Sequence, residues 1–188
     1  MKIMRMAVLS MLIQPVLGPG PLGAQQGMNN QASARNSDEW IKKEVRHELL
    51  TLPWYSVFDN LAYSVNNNEV TLYGQVVQPA LKSDAENAVK RTEGVEKVNN
   101  QIEVLPTSPL DDQIRRAEYR AIYSQELLSR YGVGNLQSIH VIVKNGHVTL
   151  EGFVDSQQDK DAATLYAKSV PNVFSVDNHL IVTGQSNR

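Results

Sequence analysis

Between Val70 and Val76 the chain alternates apolar and polar residues, with Val70, Leu72, Gly74 and Val76 on one side, and the alternation returns from Val148 to Val154. A period of two predicts strands with one buried face. Each has a partner just upstream, through Leu61, Tyr63 and Val65 in the first region and a run ending at Val143 in the second. Asn66 to Asn68 turns the first pair and Lys144-Asn145-Gly146 the second, where Asn-Gly favours the type I′ turn of a hairpin. Elsewhere the period becomes helical. Ile41, Val45, Leu49 and Leu52 share a face behind Ser37 as N-cap, with Asp38 and Glu39 in the first turn and Pro53 as the stop. Leu81 to Arg91 is helical again through Ala85, Ala88 and Val89, and Val95, Val98, Ile102 and Val104 predict a last strand.

A repeat organises these elements. Shifting the chain by 78 residues lays Val70-Thr71-Leu72-Tyr73-Gly74-Gln75-Val76 on Val148-Thr149-Leu150-Glu151-Gly152-Phe153-Val154 without a gap. The register continues through Ala85 on Ala163, Val98 on Val176 and Val104 on Val182, and extends backwards to Leu49-Leu50 on Leu127-Leu128. It also aligns Tyr119 and Tyr123 with Ile41 and Val45. Two copies of one small domain are expected, at 37–105 and 112–183, joined by a proline-rich linker at 106–111 and followed by a tail at 184–188. The fold class is α+β. Each copy is helix, strand, strand, helix, strand, a three-stranded mixed sheet covered on one face by two helices.

The N-terminus changes the picture of where the protein works. Lys2 and Arg5 precede a mostly apolar run from Met6 to Leu17 and small residues ending at Gly23-Ala24. This is the pattern of a secretory signal peptide, 1–24, cleaved near Ala24. The run is about 12 residues, short of the roughly 20 that span a bilayer. Residues 25–36 are expected to be a flexible leader. The protein has no cysteine, which excludes disulfides, thiol catalysis and cysteine-held zinc, and fits a periplasmic location. Eighteen Lys and Arg against 20 Asp and Glu give a net charge of -2, so nucleic acid is not an expected partner.

The paired Val-Thr-Leu-x-Gly-x-Val strands, the alanine-containing helix and the run Gly94-Val95-Glu96-Lys97-Val98-Asn99-Asn100-Gln101-Ile102-Glu103-Val104 resemble the BON domain, in tandem, over nearly all of residues 37–183. Copy two departs at Pro171-Asn172, where asparagine replaces the glycine of position 94 and still tolerates a left-handed turn. The resemblance implies a non-catalytic exported module of the osmotically inducible periplasmic type, one that binds phospholipid or protects envelope proteins under stress.

Chemistry adds little toward catalysis. No phosphate loop or nucleophile elbow occurs, and no cofactor or metal is expected. Gly74 and Gly152 inside strands mark a bulge or close backbone approach. Strand alternation puts His140 and His179 on the outer sheet face, without the third ligand that a metal needs. Two surfaces remain. The first helix of copy two carries Arg115, Arg116, Tyr119, Arg120 and Tyr123, a mixture suited to anionic phospholipid headgroups, with Asp111, Asp112, Glu118 and Glu126 in opposition. On the outer sheet face of copy two, Ile142, Phe153 and Ile181 replace Ser64, Gln75 and Glu103, marking an interface with copy one or with an envelope protein. The alternative function is therefore a protein-interaction or chaperone-like module using that face.

Overall fold

The computed structural model describes residues 37–133 and 137–184; the expected signal peptide and leader lie outside them, as does the tail from residue 185. Helix α1, Asp38–Leu50, starts where the Ser37 hydroxyl accepts the Trp40 N–H, and it buries Ile41, Val45 and Leu49. Strands β1, Asn60–Asn66, and β2, Glu69–Val76, form an antiparallel hairpin. Its turn holds Asn67 and Asn68 at φ of 49° and 63°, the left-handed pair of a type I′ turn. Helix α2, Pro79–Lys90, crosses back, and β3, Lys97–Asn100, and β4, Glu103–Val104, run parallel to β2 as two pieces of one edge strand. Ile41, Val45, Leu72, Leu81, Val89 and Ile102 meet in one apolar core between the helices and the sheet.

The second domain repeats the plan with additions. Helix α3, Pro109–Tyr123, begins inside the stretch expected to be linker. Proline suits a first helical position, where its missing N–H has no partner to lose, and Ser108 caps the turn by accepting the Asp111 N–H. A short helix α4, Glu126–Ser129, and a 3₁₀ turn at Arg130–Gly132 follow. Then come β5, Ile139–Lys144, β6, His147–Val154, helix α5, Gln157–Lys168, and β7, Ser175–Asn178, with β8, Ile181–Val182. Both sheets are mixed, both are backed by helices, and the architecture is α+β in two copies.

Matching devices hold the copies in the same shape. The Asp38 carboxylate accepts the N–H groups of Asn67 and Asn68, and Asp111 does the same for Asn145 and Gly146 at 2.9 and 2.8 Å. A Cβ on Gly74 would stand 2.1 Å from the Asn60 carbonyl oxygen, and one on Gly152 2.1 Å from that of Ser138. Close backbone approach is therefore the reason for both glycines. Asn100 and Asn178 each donate to a helix carbonyl and accept the N–H two residues on, where the third strand breaks. Asn172 takes φ of 67° where Gly94 takes 85°.

The Asp38 and Asp111 pair also corrects the alignment of the first helices. Asp111, Ile114 and Ile122 stand in α3 where Asp38, Ile41 and Leu49 stand in α1, so the offset of 78 stops short of this helix. Tyr119 and Tyr123 do not match Ile41 and Val45. Leu127-Leu128 does not match Leu49-Leu50 either, because both leucines lie in α4.

The two domains meet along β5. The Val57 carbonyl, in the connection between α1 and β1, accepts the Val141 N–H at 2.8 Å. The Tyr55 ring stacks on His140 with centroids 5.5 Å apart, and Lys144 forms an ion pair with Glu103. Burial lowers the pKa of His140 and raises that of Tyr55 to about 12.

Candidate functional site

Helix α3 has two faces with opposite chemistry. Inward, Ile114 and Ile122 join the domain core, and Glu118 lies between them, fully buried. Neither of its carboxyl oxygens has a hydrogen-bond partner among the described residues, and burial in apolar surroundings pushes its pKa up to about 8. Arg115, expected to be solvated, is 3% exposed: it donates to the Val143 carbonyl at 2.7 Å and pairs with Asp112. Its aliphatic stem is covered and its charge is committed to the sheet edge. Tyr123 also turns inward, where its hydroxyl donates to the Ile139 carbonyl.

Outward, Arg116, Tyr119 and Arg120 remain together. Arg116 and Arg120, one turn apart, have no ion pair among the described residues. They flank a depression with Val57 and Phe58 of the first domain. The Tyr119 ring sits edge-on to Phe58 at 6.4 Å and packs on Tyr123 at 4.9 Å. Next to it, a second depression is lined by Trp54, Phe58 and Arg116, with Arg115 and Asp112 behind. Trp54 is 73% exposed and is held at φ of 70°, a left-handed conformation that costs a bulky residue free energy. Neither Trp54 nor Phe58 belongs to a periodic segment of the sequence, although Pro53-Trp54-Tyr55 just past a helix stop is a visible aromatic cluster in a turn.

Three of the four acids expected to offset the arginines are spent elsewhere, and the fourth, Glu126, lies beyond the end of α3. Asp111 holds the β5–β6 turn, Asp112 pairs with Arg115, and Glu118 is buried in the core. The outer face of α3 is thus more basic than composition implies. Arg130 does not join it, because it is bound to Asp159, which is itself buried and further held by Ser156 and Tyr131.

The second predicted surface divides. Ile142 is buried, beside a depression shared with Gln75, Glu103 and Leu105 of the first domain. Phe153 and Ile181 are paired across β6 and β8 and stay 51% and 56% exposed. His140 and His179 both lie on the outer face as expected, but His140 packs on Tyr55 and His179 bonds Glu151 at 2.8 Å. Among the described residues no group of three or more side chains could hold a metal, and no helix is long and apolar enough to cross a membrane.

Two solved structures of CdsD, a structural protein of the type III secretion system of Chlamydia trachomatis, are similar to this chain. The C-terminal domain is 13% identical over 74% of this chain and 96% of that one, with a TM-score of 0.31. The other is 14% identical over 76% and 91%, with a TM-score of 0.27. No curated protein matches the sequence. The model of the BON domain matches residues 37–106 and again 120–184, so the chain belongs to the BON domain family, a group of generally non-catalytic, envelope-associated modules, and carries the domain in tandem.

Proposed function

We propose that this tandem BON protein is an exported, periplasmic module that acts by binding, laying the outer face of α3 and the neighbouring Trp54–Phe58 loop on an anionic phospholipid surface of the envelope. The observation that carries this reading is the pair Arg116 and Arg120, without an ion pair among the described residues, on one helix face and flanked by Tyr119, Phe58 and the exposed Trp54. Guanidinium groups meet phosphate oxygens in bidentate pairs, and aromatic rings settle at the boundary between headgroups and acyl chains. General attraction contributes nothing here. The net charge of -2 is repelled by an anionic bilayer, and loss of Lys2 and Arg5 with a cleaved signal would lower it to -4. Binding must therefore be local and shallow, on the order of 1 kcal/mol per basic side chain plus the burial of exposed rings. Flotation of the full chain with phosphatidylglycerol vesicles, and not with phosphatidylcholine vesicles, is the expected result; equal flotation with both would contradict the role of the arginines.

A further inference from the structure

We propose that the outer edge of β1 docks an extended peptide segment of a partner protein, which joins the first sheet as an added strand. The two-residue turn makes Asn66 and Glu69 a hydrogen-bonded pair, and alternation gives Ser64, Ala62 and Asn60 the same status. The backbone groups of Leu61, Tyr63 and Val65 therefore point away from β2. By the same register Ile139, Val141 and Val143 point outward from β5. There all three residues are engaged: Tyr123 donates to the Ile139 carbonyl, Val141 donates to the Val57 carbonyl, and Arg115 donates to the Val143 carbonyl. On β1 the Tyr73 hydroxyl reaches the Tyr63 carbonyl at 3.3 Å. Among the described residues no backbone group outside the hairpin bonds to Tyr63 or Val65.

Natural edges are guarded by short length, charge or proline. The four-residue strands β3 and β7 carry Lys97 and Asp177. By contrast β1 has seven residues, Asn-Leu-Ala-Tyr-Ser-Val-Asn, with neither charge nor proline. Along its first half runs a groove of about 540 Å³, walled by Leu50, Leu61 and Tyr63 on one side and by His140 and Phe153 of the second domain on the other. That volume lies within the roughly 300–1,000 Å³ of ordinary ligand sites.

Two observations specify the occupant. The Val57 carbonyl on Val141 shows, within this molecule, backbone from another domain bonded to the edge of the matching strand. Arg46, exposed at the groove and without an ion pair among the described residues, selects an acidic group. The segment is extended, apolar at alternate positions facing Tyr63 and Phe153, and acidic where it reaches Arg46.

The test is a titration of the full chain with an eight-residue peptide alternating valine and threonine and ending in aspartate, followed by amide exchange. Saturation should slow exchange of the Tyr63 and Val65 N–H groups by about tenfold or more and leave Val141 unchanged. The same peptide N-methylated at alternate residues should have no effect, and Arg46→Glu, at an exposed position, should weaken binding on the order of fivefold. No binding up to about 1 mM peptide overturns the proposal. Protection of β3 instead of β1 also overturns it, and so does protection of Tyr63 by phosphatidylglycerol vesicles in place of peptide.

Discussion

Glu118 occupies in α3 the position that Val45 occupies in α1, one turn after the isoleucine that opens each helix's buried face. The first domain fills this site with an aliphatic side chain. The second fills it with a carboxyl group whose oxygens have no partner among the described residues and whose pKa is raised to about 8 by burial. In the unfolded chain the same group ionises near 4.5. Between these values the unfolded state releases a proton that the folded state keeps, so stability of the second domain falls as pH rises and levels off above about 8. Glu118→Val should flatten this slope and stabilise the domain at pH 8 by on the order of 3 kcal/mol. Urea unfolding at pH 5 and pH 8 checks both; a parent with no pH slope in that window contradicts the burial of the acid.

The seam responds to pH in the opposite sense. Burial holds the His140 imidazole below its ordinary pKa of 6.5, although the backbone carbonyls of Asp59 and Ser56 and the charges of Asp59 and Glu151 work against that shift. When the domains separate, His140 regains its ordinary affinity for a proton, so contact is favoured above about pH 6.5 and weakens as pH falls below it. Exchange of the Val141 N–H, bonded to Val57, should slow less between pH 7 and pH 5 than the intrinsic hydroxide dependence dictates, an excess that reports opening of the seam. His140→Phe, which keeps the stacking partner of Tyr55, should remove the excess.

The turn carboxylates differ in consequence. Asp111 is 1% exposed and bonds the buried Gly146 N–H, whereas Asp38 is half-buried and serves an exposed turn. Asp111→Ala should cost about 2–3 kcal/mol, because two amides lose a charged acceptor in a dry site. Asp38→Ala should cost about 1 kcal/mol. Equal losses by thermal or urea unfolding would mean that burial does not set the strength of these bonds.

The two sheets could be read in the sequence because strands alternate regardless of context and the repeat printed the alternation twice. Gly74 and Gly152 stood out for the same reason. The first helix of copy two departs from the offset because the connection after it is longer and contains α4, so that an ungapped shift from the strands lays Tyr119 and Tyr123 on core positions. With Glu118 and Arg115 on it, the inner face of this helix does not stand out as an apolar stripe. Charged residues break an amphipathic pattern, and only the fold reveals that Arg115 reaches a sheet-edge carbonyl and that Glu118 replaces a valine. Ile142 and Phe153 looked equivalent by alternation; the seam, which depends on how one domain sits on the other, covers the first and leaves the second exposed.

The most direct test of the lipid-binding account is vesicle binding by three variants of the full chain. Arg116→Ser with Arg120→Ser removes both guanidinium groups from the outer face of α3 and should reduce binding to phosphatidylglycerol vesicles by roughly thirtyfold at low salt, leaving thermal stability unchanged. Trp54→Ala should weaken binding further at any salt concentration, and because alanine retains the Cβ it leaves the left-handed backbone position in place. Arg115→Ser should instead lower the stability of the second domain, because it leaves the Val143 carbonyl unpaired, and should spare the binding of whatever remains folded. Vesicle flotation read beside the melting temperature separates these outcomes. Parent-like flotation of the Arg116, Arg120 double variant, with its fold intact, would contradict the account.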